Sequence, residues 1–396
     1  MKKYIFFIIL STVLFSCDLN VDKGDDDKEK DAPKQITRTL PKEKSKLTFM
    51  VYYNADNNLE EYMLSDIDEI KRSLRENEEI SVIVLIDRIK GYSDDKDVFG
   101  EDFTDSRLYE IIRDKAIRVD GQSFFEGITE KESVELDLGD IQNLKKFIEY
   151  SKANYSADKY VLVVGNHGSG INEYDKYSSI NYAISYDDTD SSFIKIPEFT
   201  KALDKTHFVD LLVFDACQMA YAEAAYQFAP LDSEKFSTNF IAAASTEVVA
   251  EGFCYDRIFE EITSSLTPSE IGVIFLEKQE EYLKEKKRNN QAYVLLDLSK
   301  IKEVKNSLDK TTSFLSQKKE ALKNFTGETF SRSYVTSGLI YYFNSYSEAA
   351  WIDYANFDIY SFFDNLRNSP NFSDLSADID VILDKIDDTI VFSFGG

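Results

Sequence analysis

Tyr160-Val-Leu-Val-Val-Gly-Asn-His167-Gly168-Ser169-Gly170 and Leu211-Leu-Val-Phe-Asp215-Ala-Cys217-Gln218 each begin as an apolar run without alternation and stop at a reactive side chain. Such runs of β-branched and large apolar residues read as strands buried on both faces, the pattern of a parallel sheet covered by helices. His167 and Cys217 therefore fall at strand ends. Ligands of open parallel sheets bind just beyond the carboxyl ends of the strands, so an imidazole and a thiol there are placed for nucleophilic chemistry.

The same reading extends outward in both directions. Leu47 to Tyr53 reads as a first strand, followed by a polar turn from Asn54 to Asn58 and an amphipathic helix from Leu59 to about Leu74. Ile80 to Ile86, Ser106 to Arg113 and Phe240 to Ala244 read as further strands. Helices are expected after Asp140, from Ile196-Pro197, from Gln218 to Phe228, and from the capping box Thr267-Pro268-Ser269-Glu270 towards Lys287. This alternation predicts an α/β/α sandwich with a mostly parallel central sheet over 46–300. Residues 301–396 are expected to form an appended, mainly helical C-terminal region, polar from Ile301 to Asn324 and rich in Tyr and Phe over 330–396. Val391-Phe-Ser-Phe-Gly-Gly396 reads as a strand that stops early, which suggests a truncated C-terminus.

At the N-terminus, Lys2 and Lys3 precede an apolar stretch from Tyr4 to Phe15 that ends in Leu14-Phe15-Ser16-Cys17. That length suits a signal peptide rather than a spanning helix, and Cys17 sits where a lipoprotein is lipidated. Residues 1–17 are read as a lipoprotein signal peptide and 18–45 as a disordered acidic tether, placing the protein in the cell envelope on the periplasmic face or the surface. With 46 basic against 72 acidic residues and a net charge of −26, a nucleic-acid partner would have to bind against the protein's own field, and none is expected. Beyond Cys17 only Cys217 and Cys254 remain, too few for a disulfide framework, and no structural disulfide is expected.

A thiol nucleophile needs a base and donors for the oxyanion that develops on the attacked carbonyl. His167 supplies the base. Gly168, without a side chain, lets its N–H approach a carbonyl oxygen, and the N–H of Cys217 is a second donor for an oxyanion hole. A helix starting at Gln218 is expected to depress the Cys217 pKa. Taken singly, Cys217 reads better as a small buried hydrophobe and His167 as a polar loop residue. Their pairing at two strand exits, in a chain with only 2 histidines, favours catalysis. The other histidine, His207, precedes its strand and is read as a surface turn residue at the opposite edge of the sheet.

Taken together, Tyr52-Tyr-Asn-Ala-Asp-Asn-Asn-Leu-Glu60, Asn166-His167-Gly168-Ser169-Gly170, Ile184-Ser-Tyr-Asp-Asp-Thr189, Asp215-Ala-Cys217-Gln-Met219 and Phe357-Asp-Ile-Tyr-Ser-Phe362 resemble the clostripain family of cysteine peptidases, peptidase family C11. That family shares its fold with caspases and gingipains, so the resemblance implies a caspase-like sandwich and a His167–Cys217 dyad with no third residue required. It also implies cleavage after Arg or Lys in protein or peptide substrates, which calls for a carboxylate in the first specificity pocket. Asp215 matches the family's acidic residue, Glu251 before Gly252-Phe253 is the counterpart of a second one, and Glu247 is a fallback. Relatives are activated by cleavage between the His and the Cys, which here suggests self-cleavage at Lys176. Some relatives depend on calcium, so calcium is possible though no cofactor is required, and Asp187, Asp188 and Asp190 or Asp94, Asp95 and Asp97 offer hard oxygen ligands. A zinc-peptidase His-Glu-x-x-His motif is absent. Gly165 and Gln218 depart from the family, which often carries Trp and an apolar residue at those places.

The reading is thus an exported, lipid-anchored, monomeric cysteine endopeptidase working through a thioester. A non-catalytic surface lipoprotein that uses the same fold to bind protein or glycan is the alternative. A thiol redox protein is disfavoured by the lack of Cys-x-x-Cys.

Overall fold

The structure, a computed structural model, describes residues 39–76, 78–169, 183–288, 290–322, 325, 340–342 and 356–395. In chain order the first elements are β1 (Ser45–Ala55), α1 (Glu60–Ser73), β2 (Ile80–Arg88), β3 (Ser106–Ile112), β4 (Lys115–Arg118), α2 (Ile141–Asn154) and β5 (Ala157–Gly165). Then come β6 (Ala183–Asp187), β7 (Ser192–Lys195), α3 (Ile196–Ala202), β8 (Val209–Asp215), α4 (Ala222–Phe228), β9 (Thr238–Ala244) and α5 (Tyr255–Glu261). The last are α6 (Pro268–Glu285), β10 (Tyr293–Asp297), α7 (Ile301–Leu315), β11 (Ile340–Tyr342), β12 (Asn356–Asp358), α8 (Ile359–Arg367), α9 (Ser376–Thr389) and β13 (Ile390–Phe394).

A nine-stranded sheet in the order β13-β10-β9-β8-β5-β1-β2-β3-β4 forms the middle layer. The strands from β9 to β2 pair in parallel, and both flanks are antiparallel. The apolar runs behave as expected for strands covered on both sides, with alternate residues feeding opposite layers. Met50, Tyr52, Leu162, Val164, Leu212 and Phe214 join one core with residues of α2, α3, α4 and α7. Phe49, Val51, Val161, Val163, Leu211 and Val213 join the other with α1, α5 and α6. The mostly parallel α/β/α sandwich read from the sequence is therefore the observed architecture.

Local signals set the helix starts. The Asp140 side chain accepts the Gln142 N–H to open α2, and Thr267 with Glu270 closes a capping box ahead of Pro268 in α6. Helix α1 has no side-chain cap but carries Glu60 and Glu61 in its first turn and Lys71 and Arg72 in its last, matching the helix dipole. The C-terminal helices belong to the same core: Ile359, Phe362 and Leu366 of α8 and Ile379, Ile382 and Ile386 of α9 cluster with Val164 and Phe214. The segment after α9 is a formed strand, pairing antiparallel with β10 at the end of the sheet.

Candidate active site

The site is built by two adjacent strands that end together. Gly165 of β5 lies opposite Asp215 of β8, and the N–H of the next residue, Asn166, donates to the Asp215 carbonyl at 3.2 Å. Two further residues along each chain bring His167 and Cys217 to the same cavity, of about 220 Å³, which Asp215 also lines. The chains pass so closely that a Cβ at Gly168 would lie 2.4 Å from the Cys217 carbonyl oxygen, which explains the glycine after the histidine.

Three asparagines hold His167 in place. The Asn166 side chain accepts the His167 N–H and donates to the carbonyls of Asn54 and Tyr186. Asn57 donates to the same two carbonyls at 3.1 and 2.9 Å, tying the ends of β1, β5 and β6 into one knot. Asn58 then places its Oδ1 2.7 Å from Nε2 of His167. An amide oxygen only accepts, so Nε2 carries the proton and Nδ1 is left as the basic nitrogen. Burial lowers the His167 pKa, with Asp188 opposing it, so the imidazole is neutral at neutral pH. Sequence reasoning gave the imidazole no orienting partner; Asn58 lay inside a quoted motif, but its contact spans 109 residues.

The surroundings of Cys217 correct one expectation. No helix begins at Gln218: that residue has φ of 54°, in the left-handed region, and α4 starts only at Ala222. The thiol is therefore not lowered by a helix N-terminus. Burial pushes its pKa up, partly offset by the Val248 N–H, which points at Sγ over 3.4 Å.

Asp215 sits behind the thiol. Its Oδ2 accepts from Tyr255 Oη at 2.9 Å and from the Phe253 N–H at 3.5 Å, and burial raises its pKa to about 6. Gly252, at φ of 62°, makes room for it, since a Cβ there would lie 2.8 Å from both carboxylate oxygens. Glu251 does not line this cavity, because its carboxylate turns outward to Arg288 at 2.9 Å. Glu247 does not line it either. The acid that does, beside Asp215, is Asp66 of α1, which sequence reading missed. Gly165 is accounted for by Tyr53, whose ring would meet a Cβ at 2.5 Å.

Lys176 and Cys17 lie outside the described residues. His207, read as a surface residue, is buried, with Nδ1 2.9 Å from Asp204 and Nε2 3.1 Å from Glu149. Of the acidic runs, Asp95 commits Oδ1 to the N–H groups of Asp97 and Val98. Asp187 and Asp190 instead join Asp137, and a second group gathers Asp56, Asp87 and Glu135. In that group Asp56 Oδ2 and Asp87 Oδ2 are buried without a hydrogen-bond partner among the described residues, a donor set that suits a hard divalent cation such as calcium. No helix among the described residues is long and apolar enough to cross a membrane.

Comparison with known proteins bears on the chain as a whole. The model of the clostripain family, peptidase C11, matches residues 51–396. Clostripain of Hathewaya histolytica is 35% identical over 406 residues, an alignment covering 95% of this chain and 76% of that protein. Among solved structures, an inactive zymogen C11 protease from Parabacteroides distasonis superposes with a TM-score of 0.58 at 17% identity, covering 91% of this chain and 85% of that one. The secreted C11 cysteine protease iotapain from Bacteroides thetaiotaomicron gives 0.51 at 14% identity, over 69% of this chain and 71% of its own. The two structures bear on the fold, and the sequence matches bear on descent. The chain belongs to the clostripain family and is a cysteine endopeptidase.

Proposed function

We propose that this chain is an exported, lipid-anchored, monomeric endopeptidase that cleaves after Arg or Lys, with Cys217 as nucleophile and His167 as general base and acid. The observation that carries this reading is the convergence of the thiol, the imidazole and the buried Asp215 carboxylate on one cavity. A basic side chain entering it meets a carboxylate whose Oδ1 has no donor among the described residues, so the substrate cation replaces solvent with a charge-assisted contact.

The dyad rests as a neutral thiol and a neutral imidazole, since burial raises one pKa and lowers the other. Nδ1 of His167 takes the thiol proton as Sγ attacks the carbonyl carbon, while Nε2–H stays on Asn58. The oxyanion is received by the N–H groups of Gly168 and Cys217. The Ser169 N–H to Ala183 bond of 3.1 Å flanks the Gly168–Ile184 bridge, which makes that pair a non-hydrogen-bonded one and keeps the Gly168 N–H out of the ladder. His167 then protonates the leaving amine, and water, deprotonated by the same nitrogen, hydrolyses the thioester.

Thiol acyl transfer needs no cofactor. Calcium, when bound, would be held by Asp56, Asp87 and Glu135 and would supply charge neutralisation there, next to the turn that carries Asn58. Self-cleavage at Lys176, between the two dyad residues, is the proposed activation step. The Parabacteroides relative, described as an inactive zymogen, is consistent with it.

The test is covalent trapping of the tether-free protein with a peptidyl-arginine acyloxymethyl ketone, followed by intact-mass and peptide mapping. One adduct per chain on Cys217, absent with the matching leucine ketone, is expected. Equal labelling by both ketones, or labelling at Cys254 instead, would overturn the reading.

A further inference from the structure

Asp66 is an anomaly of α1. It lies among Met63, Ile67 and Ile70, on the helix face that packs against the sheet, where an apolar side chain would be expected. Only 5% of it is exposed, and it lines the cavity of Cys217 and His167. Among the described residues it has no cationic partner, and its one hydrogen bond is the Tyr53 hydroxyl at 3.2 Å, to Oδ2. A group buried on those terms holds a proton in the resting protein: burial, with Asp215 adding to it, raises the Asp66 pKa well above the usual carboxylate value.

Asp215 is held in the same way. Tyr255 occupies its Oδ2, and its Oδ1 has no donor among the described residues. Two carboxylates thus face one cavity, each with one oxygen pinned by a tyrosine and the other left open. A cation entering the cavity would favour the ionised form of both groups. Glu251, the residue whose position suggested a second acid, is spent on Arg288.

Resting on the reading of this cavity as the seat of a basic side chain, we propose that Asp66 is its second acid and contacts the substrate cation together with Asp215. Two open oxygens on separate carboxylates match the several N–H donors of a guanidinium or the three of an ammonium better than either carboxylate alone.

The experiment compares kcat/KM for two fluorogenic peptides that differ only in arginine or its neutral isostere citrulline before the scissile bond. Because the readout is a ratio within one preparation, loss of correctly folded enzyme cancels. Asp66→Asn is expected to lower the Arg-to-citrulline ratio at least tenfold, mainly through the KM of the Arg peptide. Asp66→Glu, which keeps the charge and moves it by one methylene, is expected to fall between that variant and the native enzyme. A ratio within twofold of native in Asp66→Asn, or in Asp66→Ala should the Asn variant not fold, would overturn the proposal. Failure of the underlying reading looks different: the native enzyme itself would show no preference for Arg over citrulline.

Discussion

Asn58 Oδ1 lies 2.7 Å from Nε2 of His167 and so directs Nδ1, the other imidazole nitrogen, away from that contact. In the proposed mechanism this bond fixes the tautomer and leaves Nδ1 as the acceptor for the thiol proton. Asn58 stands two residues before the start of α1, so the orientation of the base is inherited from the helix and from the asparagine knot beneath it.

Removing that contact should slow the proton transfers and leave substrate binding intact. Asn58→Ala is predicted to lower kcat by roughly ten- to a hundredfold with little change in KM, as a misplaced base does. Steady-state kinetics on an Arg peptide measures this, and an unchanged kcat would remove Asn58 from the mechanism.

The pH profile follows from Asp215. Its pKa is raised to about 6, so the carboxylate is ionised above that pH and loses its charge as pH falls through it. For an Arg peptide, kcat/KM should therefore decline as pH falls, through about pH 6 for the Asp215 contribution, and the Asp66 contribution, its pKa also raised by burial, is lost in the same direction. A citrulline peptide should lack that limb and keep only the one from His167, whose pKa is lowered by burial. Superimposable profiles for the two peptides would contradict this assignment.

Glu60 and Arg88 form an ion pair at 2.6 Å with both side chains fully buried, and Arg88 also reaches Asp102 at 3.1 Å. The pair anchors the first turn of α1 and, through Ser93, the loop after β2. Arg88→Ala leaves an uncompensated buried carboxylate and should cost about 3–5 kcal/mol in urea denaturation. A loss within the range of a surface ion pair, under about 1 kcal/mol, would show the pair to be dispensable.

The acidic group of Asp56, Asp87 and Glu135 gives a stability prediction that does not depend on turnover. Millimolar calcium should raise the melting temperature of the native protein, by mass action on the folded state. Asp87→Asn, which removes a ligand charge, should abolish the increment. Melting curves that ignore calcium in both proteins would dismiss the site.

The strand cores and the two reactive strand ends were legible because they are local: an unbroken apolar run is enough to mark a strand covered on both faces. The onset of α4 was not, since the left-handed Gln218 delays it to Ala222 and nothing in Gln218 to Tyr221 signals the delay. Asp66 carried a readable clue, a charge on the apolar stripe of Met63, Ile67 and Ile70, but only the folded cavity gives that charge a purpose. Glu251 shows the converse. Its place next to Gly252 suggested the pocket, and a cation 37 residues away, Arg288, claims it. The joining of β13 to β10 is equally long-range and left no local trace.

The central claim, that Cys217 and His167 cleave after a basic residue selected by a buried acid, is tested most directly by paired peptide hydrolysis. Fluorogenic peptides ending in Arg, Lys, Leu or Asp would be offered to the tether-free protein and to its Cys217→Ala and Asp215→Asn variants, before and after limited trypsin treatment. The account predicts cleavage of the Arg and Lys peptides alone, none by Cys217→Ala, and loss of the basic preference in Asp215→Asn. Equal turnover of the Leu peptide by the native enzyme, or activity surviving in Cys217→Ala, would contradict it.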